Sequence, residues 1–536
     1  MKKSVFKVAL PALLLLLACL LPFLNKAYTI DDPWFLLEAK QIVKTPLQPM
    51  AFSVCWMGNE TCVAKASSLG PGSLQALMGY LLVPVVTIVG SPEWMAHLIQ
   101  IILAGLAVLA TVSLALRLGF TRFEACMSGL MLVAIPPFLS MASTAMPDTA
   151  ACAFVVIGIE RLLAWKSERR WTSAIASGVA LGIAPTARFH VALMLPIAAL
   201  WLFSESNVKN SFEELRSDLR RWTPIAIGFG LLVLIVLVTR DRGPVTEHTN
   251  ALLGLTLHVI LRNALSFAGY FAFPLPLAAV WLSSRYRMKS ILVLPAIVAI
   301  PIYFYLAGRP EPMPYWMIAG YVYGFIAIVL LTFDSLRRPA WPGLLLNLWL
   351  LIPLCIVIYI HLPVKYMDPV LPAAVLIVIR TISTFTLTRQ HVAYAATIAA
   401  CTAVSVILLR ADAECADFSR RAAAEMIAPR VAAGKKVWYG GQWGFYWYAA
   451  KAGALLSQPK HPGPLPGDLL AIGMTEGGGA TLTRFPNRKL VDSRRYRPAD
   501  GYTVGGRAGL YQNLWGTTLW RPNGNQTFDY EIWQVE

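Results

Sequence analysis

The chain has 536 residues, of which 57% are hydrophobic and only 14% are charged, and its formal net charge is +17. Apolar runs of about 20 residues recur along it, each long enough to cross roughly 30 Å of hydrocarbon as a helix. The Lys and Arg residues fall mainly in short loops between these runs, where they indicate membrane orientation and contact with anionic lipid. Composition therefore excludes a soluble globular protein and argues against a nucleic-acid partner.

The first apolar run, from Val8 to Leu24, follows Lys2 and Lys3 and imitates a signal peptide. No small-x-small cleavage site follows it, and many further apolar runs do. We interpret it as a retained signal anchor with a cytoplasmic N-terminus.

The apolar segments that follow predict a multi-pass, all-helical membrane domain. All segments together lie at 8–24, 72–90, 94–116, 123–141, 148–165, 172–187, 189–204, 223–239, 264–283, 290–307, 316–332, 341–360, 369–386 and 391–409. Most loop Lys and Arg residues lie at 117–122, 166–170, 209–221, 285–289 and 337–338, and these loops should be cytoplasmic.

All of these basic loops share one side with the N-terminus only if segment 72–90 does not cross. We therefore predict an interfacial helix at 72–90 within a long first outer loop, 25–93, and about thirteen transmembrane helices. Pro71 and Pro84 fit such an irregular element. A miscounted span elsewhere is the alternative, and the pair 172–187 and 189–204 is the next weakest.

Two adjacent carboxylates, Asp31 and Asp32, follow the first span. Charge beside hydrocarbon is costly, which favours a chemical role. A structural role is also open, because Asp32 before Pro33 fits a helix N-cap with proline at the first helical position. The cap explains one aspartate well and the other poorly.

The first outer loop also holds Cys55 and Cys62, separated by six residues in a polar stretch. If this loop is periplasmic, a disulfide between them is plausible. A later outer loop, 240–263, holds Glu247 and His248, which fit either a weak metal site or ordinary solvated side chains.

Further charges fall at the same predicted membrane boundary, namely Asp148, Arg188 and Lys365. Charged groups at that depth usually face a protein cavity, although each cation taken alone fits better a side chain that snorkels to the headgroups. Carboxylates and cations gathered on one face suit a reaction between an anionic lipid headgroup and a hydroxyl or amine. The cations would hold a phosphate, and a carboxylate would accept a proton from the nucleophile.

Residues 410–536 differ in composition from residues 1–409, because they are polar and lack a long apolar run. The patterns predict a helix at 413–432, a strand at 436–439, a helix at 445–452 and a strand at 469–474. We expect a small α/β domain on the outer side. Its aromatic cluster at 438–448 suits a hydrophobic core, a membrane interface or a surface that stacks on a sugar.

The order of these features resembles the C-type (GT-C) membrane glycosyltransferases, in the branch of protein O-mannosyltransferases and bacterial lipid A aminoarabinose transferases. The features are a short first span, an acid pair in the first outer loop, an interfacial helix, Pro147-Asp148 before a span, a glycine six residues before Arg188, and Lys365-Tyr366 with a following proline. The likeness covers roughly residues 1–410, and the order of the motifs carries it.

The resemblance implies inverting transfer of a sugar from a polyprenyl-phosphate donor at the periplasmic face. Asp31 matches the family's candidate base, Asp32 stands where Glu is common, and Asp148 matches an acid of the second outer loop. Arg188 matches a lysine that contacts the lipid phosphate, and Lys365 with Tyr366 matches an Arg-Tyr pair near the donor.

One departure from the family pattern concerns Leu69 and Gly70, which stand where charged residues are often seen before the interfacial helix. A metal site built on that position is in doubt, and the sequence does not decide whether a divalent metal ion is required.

We therefore predict a bacterial inner-membrane glycosyltransferase with a periplasmic C-terminal α/β domain. Its partners would be a polyprenyl-phosphate-linked sugar donor, membrane lipids, and a lipid, glycan or protein acceptor. A transporter or flippase of a lipid-linked sugar is the main alternative. It usually has repeated halves and charges near the midplane, whereas no repeat is visible here. A non-catalytic sensor or scaffold is a second alternative.

Overall fold

The structure is a computed structural model, and it describes residues 2–52, 54, 76–203, 219–239, 256–270, 300, 322, 324–326, 328–330, 332–333, 343–359, 361–458, 462–499, 502–504, 510–512, 521–522 and 527–536. The predicted disulfide between Cys55 and Cys62 lies outside these residues, as do Glu247 and His248. The disulfide and the weak metal site therefore stay predictions.

The first three quarters of the described chain are helical. The helices are α1 (Lys2–Leu20), α2 (Asp32–Lys44), α3 (Leu77–Thr87), α4 (Glu93–Arg117), α5 (Arg122–Ala134), α6 (Pro136–Ala142), α7 (Asp148–Glu168), α8 (Trp171–Ile183), α9 (Met194–Phe203), α10 (Thr223–Thr239), α11 (Leu257–Tyr270), α12 (Gly343–Leu350), α13 (Leu371–Ile382), α14 (Leu387–Ala422) and α15 (Ala428–Ala432). The fold therefore agrees with the prediction of a mostly helical membrane domain.

Short 3₁₀ segments interrupt the helices at Leu21–Phe23, Ala184–Thr186, Phe189–Leu193, Leu219–Trp222, Ile352–Ile356 and Val364–Val370. Four of the six contain a proline: Pro22, Pro185, Pro353 and Pro369. Proline lacks a backbone N–H and its ring clashes with the preceding turn, so these prolines disfavour an uninterrupted α-helix at the breaks. Two of these breaks, at 184–193 and 364–370, carry the candidate site.

Four helical stretches among the described residues are long and apolar enough to cross a membrane, at Val5–Phe23, Glu93–Arg117, Arg220–Thr239 and Leu387–Ala432. The α5–α6 pair adds a fifth if its 65° bend lies within one span. Several predicted spans, including 290–307, lie mostly outside the described residues. The protein is therefore a multi-pass membrane protein, and the number of about thirteen crossings stays a prediction.

Helix α3 occupies the predicted interfacial segment 72–90. It runs from Leu77 to Thr87, eleven residues with Pro84 inside. At about 1.5 Å per residue, it is only roughly half as long as the ~30 Å hydrocarbon core is thick. It packs against α2 so closely that a Cβ at Gly79 would lie 2.6 Å from Glu38 Cγ. In the described part of the first loop, α2 and α3 thus form a packed helical pair.

Helix α14 runs without interruption across the predicted domain division at 409/410. It continues through a π-helical turn at Ala423–Ile427 into α15. One long helix therefore joins the membrane domain to the C-terminal sheet, and the division itself stays a prediction.

The C-terminal part contains a mixed five-stranded sheet in the order β2-β1-β3-β7-β4. The strands are β1 (Val437–Gly440), β2 (Leu455–Leu456), β3 (Leu469–Gly473), β4 (Arg488–Tyr496) and β7 (Phe528–Val535), with β5 (Tyr502–Thr503) and β6 (Arg521–Pro522) paired separately. Strand β1 runs parallel to β2 and β3, whereas β7 runs antiparallel to β3 and β4. Helices α16 (Trp443–Lys451) and α17 (Gly479–Leu482) complete the predicted α/β domain.

Candidate active site

The two adjacent aspartates have different environments. Helix α2 begins at Asp32, with Asp31 as its N-cap residue, so the prediction that Asp32 is the N-cap is wrong. The Asp32 side chain is fully buried, and its Oδ2 and Oδ1 accept hydrogen bonds from the backbone N–H groups of Thr29 at 2.9 Å and Ala145 at 2.8 Å. Asp32 therefore ties the first loop to the loop that precedes α7.

Asp31, in contrast, remains accessible. Its side chain is 33% exposed and forms an ion pair with Lys365, at 2.5 Å between Nζ and Oδ2. Burial of the carboxyl raises its pKa, but the charge and hydrogen bond of Lys365 and the charge of Arg188 outweigh that effect and hold the pKa of Asp31 below its ordinary value. Asp31 is thus an ionised carboxylate with room for another partner.

Arg188 lies in extended backbone between two 3₁₀ segments, where the predicted spans 172–187 and 189–204 meet. Its Nε and Nη2 donate to Oδ1 and Oδ2 of Asp148, both at 2.7 Å. Both side chains are at least 95% buried. Asp148 is the first residue of α7, where the positive end of the helix dipole favours a carboxylate. The bidentate pair fixes the guanidinium plane and argues against a side chain that snorkels to the lipid headgroups.

Aromatic rings surround this guanidinium. Arg188 Cζ lies 4.9 Å from the centre of the Tyr366 ring, a cation–π distance. The rings of His190 and His361 lie 5.4 and 6.1 Å from that of Tyr366. Burial and the charge of Lys365 lower the pKa of His361 to about 3, so this imidazole is neutral at physiological pH. The structure therefore brings together the cations and the tyrosine that the sequence proposes for the donor.

Asp368 is a further candidate site residue that the sequence analysis missed, although it lies between Lys365-Tyr366 and the proline that follows them, Pro369. Its side chain is fully buried, and neither carboxylate oxygen has a hydrogen-bond partner among the described residues. Burial and the nearby charge of Asp148 raise its pKa well above the ordinary value. The 3₁₀ segment 364–370 thus presents a lysine, a tyrosine and a buried carboxyl group whose charged form is disfavoured.

Lys26 and Asp412 form a second buried ion pair that was also missed, and Tyr511 donates to Asp412 Oδ2 at 2.6 Å. Lys26 further donates to Ser143 O at 3.2 Å. Burial raises the pKa of Asp32 to about 7, an effect that Lys26 opposes and Asp412 reinforces. A signal for the pair was present in the sequence, because Lys26 is a cation on the predicted outer side, against the positive-inside pattern.

No group of three or more His, Cys, Asp or Glu side chains within the described ranges is arranged to hold a metal ion. The site around Tyr366 offers the Arg188–Asp148 pair, the Lys365–Asp31 pair with its accessible carboxylate, and the buried carboxyl group of Asp368. Such a set can bind an anion and accept a proton.

Part of the chain that carries this site matches a known protein family. Residues 75–240 match the family described as dolichyl-phosphate-mannose-protein mannosyltransferase, and this range contains Asp148 and Arg188. No curated protein matches the chain in sequence.

Solved structures resemble the chain in overall layout. The archaeal oligosaccharyltransferase AglB from Archaeoglobus fulgidus, in complex with an inhibitory peptide and a dolichol-phosphate, is 12% identical with a TM-score of 0.49, over 93% of this chain and 74% of that one. ArnT from Cupriavidus metallidurans bound to undecaprenyl phosphate is 12% identical with a TM-score of 0.44, over 91% of this chain and 96% of that one. At these values the two structures carry no residue-level argument.

The class that these matches point to is that of the membrane-bound glycosyltransferases: over residues 75–240 the chain is similar to the dolichyl-phosphate-mannose-protein mannosyltransferase family. The matched range includes the Pro147-Asp148 and Arg188 motifs on which the resemblance in the sequence depends.

Proposed function

We propose that the chain transfers a sugar from a polyprenyl-phosphate donor to an acceptor by a single inverting displacement, with Asp31 as the general base. One observation carries this proposal. Of two adjacent aspartates, Asp32 is buried and bonded to two backbone amides, whereas Asp31 is ionised, accessible and paired with a lysine. Only Asp31 is free to meet a substrate.

The description of the matched family supports a lipid-phosphate donor, because it names a dolichyl-phosphate-linked sugar. Two cations are available for its phosphate. Lys365 contributes an ammonium point charge, which can turn from Asp31 to a phosphate oxygen. Asp148 occupies Nε and Nη2 of Arg188, and no partner among the described residues occupies Nη1, so that nitrogen can donate to the same phosphate.

In the proposed reaction, the acceptor's O–H or N–H bond breaks as its proton passes to Asp31. The freed electron pair forms the new bond to the anomeric carbon, and the bond from that carbon to the phosphate oxygen breaks on the opposite face. Polyprenyl phosphate leaves with the electron pair, and its growing negative charge is stabilised by Lys365 and Arg188. One displacement of this kind inverts the anomeric configuration.

Asp148 and Tyr366 support these groups. Asp148 orients the guanidinium of Arg188 by its two hydrogen bonds, and the Tyr366 ring covers one face of it. Burial disfavours the charged form of Asp368, and in its protonated form this residue would donate a hydrogen bond where a charged carboxylate would repel the phosphate. Each of these roles acts on the donor and not on the acceptor.

We propose that this end of the helices and residues 410–536 face the periplasm of a bacterial inner membrane, with about thirteen crossings in total. The asymmetry of Lys and Arg among the predicted loops supports this orientation. A reporter that is active only outside the cytoplasm, fused after Glu536, should be active. Cysteines introduced at Gly70 and Pro92 should both be labelled from outside, and labelling at Pro92 from the cytoplasm would contradict the orientation.

The proposed reaction is tested by purifying the protein in nanodiscs and screening polyprenyl-phosphate sugars against lipid, glycan and peptide acceptors. We expect a donor–acceptor pair that yields free polyprenyl phosphate and a product of inverted anomeric configuration. Movement of the donor between leaflets without cleavage would instead show a flippase, and binding without either process would show a sensor or scaffold.

A further inference from the structure

The segment that leads to Asp31 is held by side chains of the C-terminal part of the chain. Arg420 Nη1 donates to Asn25 O at 3.0 Å, and Asp412 forms the buried ion pair with Lys26. The backbone N–H of Tyr28 donates to the Tyr448 hydroxyl at 2.8 Å. We call residues 25–28 the lead segment. Three of its four residues are bonded to residues beyond 410.

The Lys26–Asp412 pair is the centre of a cluster from four separate parts of the chain. Lys26 Nζ also donates to the backbone oxygen of Ser143 at 3.2 Å and to its Oγ at 3.3 Å, and the Tyr511 hydroxyl donates to Asp412 Oδ2 at 2.6 Å. Lys26, Ser143, Asp412 and Tyr511 are all at least 96% buried. Because buried charges are costly unless fully paired, this cluster has little freedom to rearrange.

Packing at Gly444 brings α16 close to the lead segment. A Cβ at this position would lie 2.7 Å from the backbone oxygen of Tyr28, so only glycine allows this approach. The Tyr448 hydroxyl, which accepts from Tyr28, itself donates to Glu93 Oε1 at 2.8 Å. The C-terminal part therefore contacts both ends of the first loop, at Tyr28 and at Glu93.

The turn after the lead segment is strained. Ile30 has φ = +46°, a left-handed conformation that is a genuine outlier for a β-branched residue. Such a residue persists only when its surroundings hold it in place. Here the lead segment holds the turn on one side, and Asp32, bonded to Thr29 and Ala145, holds it on the other. Asp31 immediately follows the strained residue.

We propose that the C-terminal domain is a positioning element of the active site, in which Lys26, Asp412 and Tyr511 hold the strained turn that presents Asp31. This rests on the proposed function in one respect, namely that Asp31 is the base. The three residues touch neither donor nor acceptor and act through the backbone of residues 25–31. Since misplacement of a reacting group by about 1 Å can cost up to roughly 10²-fold in rate, their effect should fall on kcat.

The test compares Tyr511→Phe with the matched control Tyr496→Phe. Both tyrosines are buried in the C-terminal part and donate to a carboxylate, but Tyr496 donates to Glu425, at 2.9 Å, away from the lead segment. Hydrogen exchange of peptides covering residues 25–33 is measured together with kcat and donor KM, all per folded protein. We expect faster exchange and about a 3- to 10-fold lower kcat for Tyr511→Phe at unchanged KM, with Tyr496→Phe like wild type.

A second set of variants separates positioning from general stability. Lys26→Met and Asp412→Asn each leave one buried charge or dipole unpaired, whereas the double variant removes both charges and should regain melting temperature. Positioning predicts that the double variant keeps the low kcat and the fast exchange of residues 25–33. Recovery of kcat with the melting temperature would overturn the proposal, as would Tyr511→Phe behaving like Tyr496→Phe.

The exchange measurement also distinguishes this proposal from the proposed function. If the wild-type protein transfers no sugar, the proposed function fails, and the exchange of residues 25–33 alone decides whether the cluster holds the turn. If Asp31→Asn abolishes transfer but the Tyr511→Phe variant exchanges and turns over normally, the function stands and this inference fails.

Discussion

The two ends of the membrane helices each carry a cluster of buried charges, but the clusters differ in what they leave unused. At the Arg117 end, Glu160 accepts from Ser113 Oγ at 2.7 Å, Arg117 Nε at 2.6 Å and Arg161 Nη2 at 2.6 Å. Arg117 Nη2 continues to Glu168 at 2.9 Å. The buried carboxylate at this end is thus saturated by its neighbours.

At the Asp31 end, Asp31 has a single lysine partner and 33% exposure, and Asp368 has no hydrogen-bond partner among the described residues. If transfer takes place at the Asp31 end, as we propose, buried ion pairs by themselves do not mark an active site. A saturated network joins helices, whereas groups with unused bonding capacity are poised for a ligand.

The largest expected effect comes from removing the accessible carboxylate. Asp31→Asn should lower kcat by about 10²- to 10⁴-fold, the usual cost of losing a general base, with the melting temperature nearly unchanged. Asp32→Asn should instead destabilise the fold, by about 1–3 kcal/mol, because its amide oxygen can accept only one of the two backbone N–H bonds and its amide nitrogen cannot accept the other. Its kcat should fall less. If the Asp32→Asn variant is inactive and the Asp31→Asn variant is active, then Asp32 is the base and Asp31 is not.

Arg188→Ala tests whether the buried pair at the Asp31 end does more than join helices. It leaves Asp148 buried and unpaired, which typically costs about 3–5 kcal/mol of stability, and it should also raise donor KM strongly. Arg188→Lys should be milder, since a point charge still serves a phosphate. The control, Arg117→Ala, should destabilise without changing donor KM. If Arg188→Ala and Arg117→Ala have the same donor KM, then Arg188 stabilises the fold as Arg117 does and does not bind the donor.

Lys365→Met should have a smaller effect and a distinctive pH dependence. Loss of one charge-assisted contact, about 1.5–3 kcal/mol, should raise donor KM by roughly 10- to 100-fold. Lys365 also lowers the pKa of Asp31, and a base must be deprotonated to act. The acid limb of kcat/KM, which reports the free enzyme, should therefore move to higher pH in this variant. An unmoved acid limb would show that Asp31 is not the titrating base.

Glu160→Gln probes the saturated end and should have the smallest effect on function. The change removes the charge that pairs with Arg117 and Arg161, so thermal unfolding should show a stability loss of about 1–3 kcal/mol. Both kcat and donor KM should stay at wild-type values below the melting transition. A change in kcat or donor KM at temperatures where the variant is fully folded would mean that the Arg117 end takes part in the reaction.

Much of this site could be predicted from the sequence because its members lie in local motifs at the ends of apolar runs. The motifs around Asp31, Asp148, Arg188 and Lys365 each follow or interrupt such a run, and the structure brings these residues together in pairs. Strands β1 and β3 were likewise predicted within one residue at each end. Strand β7 was missed, although Phe528, Tyr530 and Ile532 alternate with polar residues as a half-buried strand requires.

The rest depends on contacts between distant parts of the chain. The turn at Ile30 and the hydrogen bond from Ala145 determine which of the two aspartates is accessible. The residues around Asp32 in the sequence indicate neither feature. The pairing of Lys26 with Asp412 spans 386 positions. Asp412 lies on a helix that reads as the continuation of a membrane span, and its sequence neighbours do not identify its partner.

The proposal that transfer takes place at the Asp31 end is tested most directly by supplying the donor to one end of the molecule at a time. Purified protein is reconstituted in vesicles, and protease access to residues 410–536 establishes its orientation. A short-chain polyprenyl-phosphate sugar that does not cross the bilayer is then added to one side only. We expect release of polyprenyl phosphate only when the donor is on the side that carries residues 410–536. Equal or greater release from the Arg117 side would contradict it.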